Sequence, residues 1–360
     1  MDSNAIEERQ GSGNLLNFRS EQATDNYRKT KLHGKTISFY AIVDGEFTMP
    51  TVPSDMRVSS WSQLQDELYE GSWRFNLQRF RSPFAFRGLS NTSFVPETTL
   101  SRLGGDFRRR EQSLLRNFRK YAHRNAIPRD SLWNWIALAQ HHGLPTRLLD
   151  WSFSPYVALH FATVNRAQWN NDAMIWCVDC VKIKRYLPGK FQRLLKREDS
   201  DVLTVEMLDE VAPTLTALER LSQKPFIAFF DPPSLDDRMV NQAALLSVSS
   251  RADLSVSRWL EAHNELFRRI VIPAKLKQEI RDKLDQANIN ERILFPGLDG
   301  LSLWLTRYYS PTGAQTLVSR DFRETSNSAA VAAKATLNKL DTRAKPGLNG
   351  SRRTRSSSRR

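Results

Sequence analysis

The run QHHGLPTRLLDWSFSPYVALHFA at residues 140–162 constrains the fold more than any other part of the chain. It places charged, polar and turn-forming residues between two apolar patterns with helical spacing. The first pattern ends at Gly143, a residue type that often closes a helix because it tolerates positive φ. The second begins at Ser154 and Pro155, a typical N-cap and first-turn pair. The sequence therefore predicts two helices joined by a short, non-helical connector over residues 140–154.

Polar and charged side chains make this connector a candidate functional segment. A short segment between two buried helices holds such side chains rigidly, as binding and catalytic sites require. Arg147 and Asp150 either face a ligand or form an internal salt bridge that locks the connector. His141 and His142 point about 100° apart at a helix end, so they do not chelate one metal ion together. One histidine is a candidate general base or ligand contact, and the other a helix C-terminal cap.

Two further features allow both a ligand-binding and a structural interpretation. Arg87 ends a short apolar strand beside Gly88, where its guanidinium either reaches a phosphate or carboxylate or pairs with Asp150. Trp151 and Phe153 either stack on a nicotinamide, an adenine or an RNA base, or belong to the core.

The composition fits a globular protein with a sizeable core. Of the 360 residues, 40% are hydrophobic and 10% aromatic. The chain opens with a polar segment that lacks the pattern of a signal peptide, and apolar runs such as PFIAFF at 225–230 are too short to span a bilayer. Two cysteines suit a reducing compartment. We therefore expect a cytoplasmic protein without a membrane partner.

The two cysteines, Cys177 and Cys180, form a CxxC motif within the apolar segment AMIWCVDCVKI. This segment is typical of a buried strand over residues 173–183, on which positions three apart point to opposite faces. No second CxxC and no nearby histidine pair completes a tetrahedral zinc site. The sequence favours buried structural cysteines and predicts no metal site.

More than half of the net charge of +14 lies near the C-terminus. From Lys334 onward, nine basic residues stand against one acid, and the final segment PGLNGSRRTRSSSRR is rich in Gly, Ser and Arg. Such a composition predicts disorder over a basic tail, assigned to residues 321–360. The tail either binds phosphate groups, as in a nucleic acid, or only increases solubility. Its candidate nucleic-acid-binding residues are Arg352, Arg353, Arg355, Arg359 and Arg360.

Between a polar extension at residues 1–34 and this tail, a single domain over residues 35–320 is predicted. Strands and helices intermix in it, which favours an α+β fold with a mixed sheet and packed helices over a regular βαβ series. The basic amphipathic segment at 106–123 is a helix whose charged face either binds nucleic acid or is only solvated. Other strands are predicted at 36–43 (followed by a DGEF turn), 84–88, 225–233 and 241–249, and other helices after Ser60, within 190–222 and near the C-terminal end of the domain.

Several motifs occur in an order that resembles the FRG domain family, named for a Phe-Arg-Gly triplet. They are Phe86-Arg87-Gly88, the run at 135–162, the pair Asn241-Gln242, and the late segments IPAKLKQEIRDKL and LFPGLDGL. Together they span about residues 60–309. The resemblance implies a bacterial or phage effector.

The motif order is also similar to that of the ADP-ribosyltransferase superfamily, which implies an ADP-ribosyltransferase-like core. In that superfamily an Arg or His ends a first strand, a Ser/Thr-bearing strand leads into a helix, and an acidic residue follows on a later strand. Arg87, Ser152 with Ser154, and Gln242 would fill these positions. Because glutamine carries no charge, Asp150 would supply the anion that steadies positive charge in the transition state.

The resemblance therefore implies an NAD- or nucleotide-binding protein that transfers to, or hydrolyses at, the anomeric carbon, as a transferase or an NAD glycohydrolase. Arg87, Asp150 and Gln242 would be catalytic, and Arg87 and Arg147 would hold phosphates. The alternatives are a non-catalytic nucleic-acid-binding module, which uses the helix at 106–123 and the tail, and an effector that binds a host protein. The implied ligand-binding residues are Gly88, Gln140, His141, Thr146, Arg147, Trp151, Ser152 and Ser154.

Overall fold

The computed structural model describes residues 55–122, 127 and 129–310, together with four short strands nearer the N-terminus. The chain divides into two units, Met1–Val52 and Pro53–Arg360. Most of the predicted N-terminal extension, and the whole tail with its five candidate arginines, lie outside the described residues. The predicted boundaries at residues 34 and 320 stay predictions.

In the first unit the described strands form two antiparallel pairs. β1 (Thr30–Leu32) pairs with β2 (Lys35–Ile37), and β3 (Ile42–Val43) pairs with β4 (Glu46–Phe47). In the second pair Val43 lies opposite Glu46, so two antiparallel strands are paired where the DGEF signal predicted a hairpin.

Eight strands of the second unit form one mixed sheet, and two more form a separate hairpin. The strands are β5 (Asp55–Arg57), β6 (Trp73–Arg74), β7 (Arg79–Phe80), β8 (Phe84–Leu89), β9 (Leu148–Ser152), β10 (Ala173–Asp179), β11 (Leu203–Thr204), β12 (Ile227–Asp231), β13 (Ala244–Ser249) and β14 (Phe267–Ile272). The spatial order of the sheet is β11-β12-β13-β9-β8-β10-β14-β5, and β6 pairs with β7. The outer pairs β11–β12 and β14–β5 are parallel and the inner ones antiparallel. The predicted α+β fold with a mixed sheet is confirmed.

Most helices of the second unit begin after a residue whose side chain accepts a hydrogen bond from a backbone N–H of the first turn. The Oγ of Ser154 accepts a hydrogen bond from the backbone N–H of Val157, as the Ser-Pro signal predicted, and Asp106 caps the predicted basic helix in the same way. The described helices are α1 (Trp61–Tyr69), α2 (Thr99–Leu103), α3 (Phe107–Tyr121), α4 (Leu132–His141), α5 (Pro155–Thr163), α6 (Cys180–Ile183), α7 (Gly189–Arg197), α8 (Val205–Val211), α9 (Leu215–Arg220), α10 (Asp237–Asn241), α11 (Val256–Glu261), α12 (Lys277–Gln286), α13 (Glu291–Leu294) and α14 (Leu298–Tyr308).

The connector between α4 and α5 differs from its prediction, because its second half is a central strand of the sheet. In β9, Asp150 is exposed while the four other residues are buried. A strand of five residues is too short to show an alternating pattern in the sequence, and the polar residues on either side obscure it. The functional segment is therefore anchored by sheet hydrogen bonds and not only by the helices at its ends.

The sheet is divided along the line between β8 and β9. These two strands share a single residue pair, Phe86 with Ser152, whereas β9 follows β13 over its whole length and β8 follows β10. On the face that carries Phe86, one half of the sheet packs against α1, α5 and α12, and the other half, which includes Leu148, packs against α4, α7, α8 and α9. Side chains alternate along a strand, so Asp150 shares this face with Leu148 and lies at the junction of the two helix groups.

The predicted strand at residues 173–183 ends early, at Asp179, and Cys180 begins α6. Cys177 packs with α5 on one face of the sheet, and Cys180 packs in the core on the opposite face. Burial raises the pKa of Cys177 to about 11 and also raises that of Cys180. The thiols are therefore protonated, buried and separated. Within the described residues, no helix has the length and apolar character needed to cross a bilayer.

Candidate functional site

The carboxylate of Asp150 is held in place by a short chain of hydrogen bonds from the end of α4. The Nε2 of Gln140 donates to the Oδ2 of Asp150 at 2.9 Å. The Oε1 of Gln140 accepts from the Oγ1 of Thr146 at 2.6 Å, and the backbone N–H of Leu148 donates to the same Thr146 oxygen. Thr146 is buried and Gln140 nearly so, which fixes the orientation of the amide. Asp150 thus presents a rigidly oriented carboxylate at the surface.

Arg87 crosses the line at which the sheet divides. It lies on β8, and its Nη1 donates a hydrogen bond to the backbone carbonyl of Asp150 on β9. Of the two interpretations offered by the sequence, a phosphate ligand or Asp150, the structure shows contact with Asp150, made to its backbone carbonyl. Arg87 and the backbone of Asp150 are therefore brought together.

Arg238, at the start of α10, adds a second guanidinium to this region. Burial lowers the pKa of Arg238, and the negative charges of Asp150 and Asp236 oppose that shift. The guanidinium lies 5.0 Å from the centre of the Phe295 ring, and its Nε makes no hydrogen bond among the described residues. The sequence analysis missed Arg238. The signal for it was its position three residues before the Asn241-Gln242 pair, in a helix that Asp236 caps.

His141 lies beside Arg238 and pairs with an acid. Its Nε2 is 2.6 Å from the Oδ2 of Asp236. Burial, and then the charge of Arg238, lower the pKa of His141 although Asp236 acts to raise it. The imidazole is therefore neutral at pH 7, and its pairing with Asp236 joins the end of α4 to α10. His142 is the C-cap residue of α4, as one of the two histidines was predicted to be.

Gln242 reaches the same end of the sheet but points its amide elsewhere. Its Nε2 donates to the carbonyl of Leu294 at 2.8 Å, and its backbone carbonyl accepts from the Oγ of Ser152 at 2.7 Å. Gln242 therefore fastens α13 and β9 to the start of β13. The structure does not bring its side-chain nitrogen to Asp150.

Arg147 is buried, with 1% of its side chain exposed, and lies in an ion network. Its Nη2 is 2.6 Å from Glu111 on α3 and 3.0 Å from Glu219 on α9, and its Nη1 donates to the carbonyl of Ser250. Arg108 also pairs with Glu219. The predicted alternative of an Arg147–Asp150 salt bridge is not formed, because the side chain of Arg147 is directed to α3 and α9. Its position inside the protein keeps it away from any surface ligand.

Three other predicted ligand-binding residues have their side chains engaged within the protein. The indole of Trp151 is in the core and donates to the Oγ of Ser247 at 2.9 Å. The Oγ of Ser152 is buried and accepts from the backbone N–H of Ser154, whose own Oγ caps α5. Phe153, by contrast, is exposed. These serines shape the turn from β9 into α5.

Gly88 lies beneath α5. A Cβ atom at this position would meet backbone atoms of the helix, so the residue allows β8 and α5 to approach closely. Its contribution to the region is therefore backbone packing. Among the described residues, no group of three His, Cys, Asp or Glu side chains is arranged to hold a metal ion.

The chemistry available at this surface combines an exposed carboxylate with two guanidinium groups. Asp150 is exposed, so its carboxylate can accept a hydrogen bond from a ligand hydroxyl. Guanidinium groups bind phosphate oxygens through paired N–H donors. We call the surface formed by Arg87, Gln140, His141, Asp150 and Arg238 the Asp150 site.

Comparison with known proteins agrees with the resemblance found in the sequence. The family model described as FRG domain matches residues 82–171, which run from just before β8 to just before β10 and include Arg87, Gln140 and Asp150. The match is narrower than the span of about 60–309 over which motifs were recognised. Searches of curated proteins and of solved structures gave no match. The chain therefore carries an FRG domain at residues 82–171, and the predicted family is confirmed.

Proposed function

We propose that the FRG domain binds a nucleotide-type ligand, with NAD as the candidate, at the Asp150 site and acts at the anomeric carbon of its ribose. The observation that carries this proposal is the fixed carboxylate of Asp150, which Gln140 and the buried Thr146 orient toward solvent. A surface carboxylate that only increases solubility does not need hydrogen bonds that fix its orientation. The ADP-ribosyltransferase-like fold and activity belong to the proposal, and they rest on the motif order.

The residues present fit the polar parts of such a ligand. Asp150 accepts hydrogen bonds from ribose hydroxyls and stabilises the positive charge that develops at the anomeric carbon. Arg238 and Arg87 attract the diphosphate, so Arg238 takes the role that the sequence gave to Arg147. Gln242 keeps its Oε1 for a hydroxyl while its Nε2 holds Leu294.

NAD supplies the N-glycosidic bond that breaks. The bond between the anomeric carbon and nicotinamide breaks with its electron pair leaving on nicotinamide. The anomeric carbon then forms a bond to the oxygen of water, or to an oxygen or nitrogen atom of an acceptor molecule. The proton that this atom carried passes to solvent. A fixed anion near this carbon lowers the barrier because its orientation costs nothing during the reaction.

The test measures nicotinamide release and NAD binding by the purified full chain. Asp150→Asn keeps the size of the side chain but removes its charge, and we expect turnover to fall by about 100-fold or more. Asp66→Asn is the matched control, since Asp66 is an exposed carboxylate on α1 that forms no ion pair with the described residues. Isothermal titration calorimetry with NAD, ADP-ribose and ATP separates binding from turnover.

Three results would contradict the proposal. The first is the absence of both nicotinamide release and calorimetric binding of any of the three ligands. The second is equal turnover in Asp150→Asn and wild type. The third is an unchanged ligand affinity in Arg238→Ala. This variant removes a guanidinium group without breaking a buried ion network.

A further inference from the structure

The β6–β7 hairpin carries a group of exposed hydrophobic side chains, Trp73, Phe75, Leu77 and Phe80. It lies between α1 and β8, and Trp73 pairs with Phe80 while Arg74 pairs with Arg79 across the two strands. At its tip, 79% of Phe75 is exposed, and Leu77 is also exposed. A group of hydrophobic side chains that are this exposed is typical of an interaction surface.

One face of the hairpin carries positive charge without compensation. Arg74 and Arg79 are directly opposite each other, and side chains of like charge in this position destabilise a strand pair. Neither forms an ion pair with the described residues, and the segment 71–83 contains three arginines and no acid. Arg81 directly follows β7, and the Nε of Arg74 donates a hydrogen bond to its backbone carbonyl. An anion between these side chains would remove the repulsion.

The opposite face carries aromatic rings in a fixed arrangement. The Trp73 and Phe80 rings meet edge to face with centres 5.0 Å apart, and Phe80 meets Tyr69 at 6.3 Å. Tyr69 in turn meets Tyr156 at 6.5 Å, and the hydroxyl of Tyr156 donates to Gln65. The row of rings thus leads from the hairpin to the first turn of α5, which directly follows β9.

We infer that this hairpin binds single-stranded nucleic acid, with phosphates on the arginine face and bases on the exposed rings. Nucleic-acid strands alternate an anionic backbone with flat aromatic groups, and the hairpin alternates arginines with aromatic side chains in the same way. A duplex buries the faces of its bases, so only a single strand can use the exposed rings of Phe75 and Phe80. This binding does not depend on the proposed reaction at the Asp150 site.

The test uses the full chain and a fluorescein-labelled oligo(dT) strand of about 12 nucleotides, with fluorescence anisotropy as the readout. Phe75→Ala should weaken binding about tenfold because the ring no longer stacks on a base. Arg74→Ala/Arg79→Ala should weaken binding and lower the salt slope by roughly 0.7 for each phosphate that the variant no longer neutralises. The matched controls are Leu298→Ala, an exposed apolar residue, and Arg193→Ala/Arg220→Ala, two exposed arginines.

Because the basic tail also attracts phosphates, the binding surface must be located as well as its affinity measured. Ultraviolet cross-linking of a 5-bromouracil strand followed by mass spectrometry should identify a peptide that contains residues 73–80. A duplex of the same length should bind wild type and Phe75→Ala equally. Circular dichroism of each variant shows that the fold is intact.

The inference is overturned if hairpin variants bind the strand as wild type does, or if cross-links fall only on the tail. It is also overturned if binding falls only in Arg109→Ala/Arg116→Ala, two exposed arginines of α3. A protein that sediments with anionic lipid vesicles through Phe75, and does not cross-link to the strand there, would show that the hairpin binds membranes instead.

Discussion

The backbone carbonyl oxygen of Ala158 lies 1.8 Å from the position that a Cβ atom on Gly88 would occupy. Real Cβ atoms do not approach a carbonyl oxygen so closely, and the backbone nitrogen of Ala162 lies 2.7 Å from the same point. Both atoms belong to the backbone of α5, which cannot rotate away as a side chain would. The glycine of the Phe-Arg-Gly triplet is thus the residue that lets β8 and α5 touch.

Gly88→Ala should therefore destabilise the protein by at least about 2 kcal/mol, because β8 and α5 must separate. Urea unfolding followed by circular dichroism measures the change in the free energy of unfolding. Gly189→Ala is the matched control, since its nearest atom is 3.5 Å away on the flexible side chain of Arg193. We expect the control to change stability by less than about 1 kcal/mol. Equal midpoints for the two variants would contradict the packing role of Gly88.

Replacing Arg147 should unfold the protein more readily without acting through a ligand. Arg147→Met leaves Glu111 buried without its partner, at a cost of about 3–5 kcal/mol. Arg147→Met/Glu111→Leu removes both charges and should restore much of that stability. Denaturant unfolding of wild type, Arg147→Met, Glu111→Leu and the double variant gives the coupling energy. Arg197→Met, at an exposed pair with Glu210, should leave the free energy of unfolding nearly unchanged. A double variant no more stable than Arg147→Met would contradict this account.

Gln140→Glu should act on the proposed reaction through Asp150. The new carboxylate would face the Oδ2 of Asp150 at the position of the present hydrogen bond, and two like charges there raise the pKa of the pair. The pH profile of nicotinamide release should move toward higher pH, with a lower kcat and little change in KM. Gln223→Glu, at an exposed position, is the control. A decrease in activity that is uniform across pH would instead indicate a general structural defect.

His160 should make the fold sensitive to moderate acid. Burial, and then the charge of Arg281, lower the pKa of His160 from its ordinary 6.5 to about 3. Below pH 6.5 the imidazole of His160 is therefore protonated in the unfolded chain but stays neutral in the folded chain. The stability gained from this residue is complete above pH 6.5 and is lost as the pH falls toward 3, at about 1 kcal/mol per pH unit.

Urea unfolding at several pH values between 6.5 and 4.5 measures that slope. Glu291 also contributes to the pH dependence of the free energy of unfolding, but at lower pH. Burial acts to raise its pKa, but hydrogen bonds from Arg307 and the charge of Arg281 lower it to about 2, so its contribution is lost only below its ordinary 4.5. His160→Gln should show a shallower slope than wild type. A wild-type histidine ring signal that titrates near pH 6.5 at His160 would contradict the prediction.

Local signals in the sequence predicted much of the fold around the site. The Ser154-Pro155 pair marked the start of α5, and the periodic apolar residues marked α4. The central strand β9 was missed because its five residues lie between stronger helical signals. The hairpin β6–β7 was also missed, since each of its strands has only two residues.

The partners of the site residues could not be predicted in the same way. Arg147 binds Glu111 and Glu219, which are 36 and 72 residues away in the chain. Only the folded topology brings such residues together, so Asp150 three positions away was the nearest candidate that the sequence offered. Arg238 was missed for the same reason: its proximity to Asp150 depends on the turn between α10 and β13.

The single residue pair between β8 and β9 also determines how solvent reaches the middle of the protein. Most strands of a sheet protect their amide hydrogens through continuous ladders, but the ladder between these two strands ends after Phe86 and Ser152. Amide hydrogens along this line should exchange with deuterium sooner than those between β10 and β14, and a ligand bound across Arg87 and Asp150 should slow them. Hydrogen exchange between β8 and β9 should therefore report whether a ligand occupies the Asp150 site.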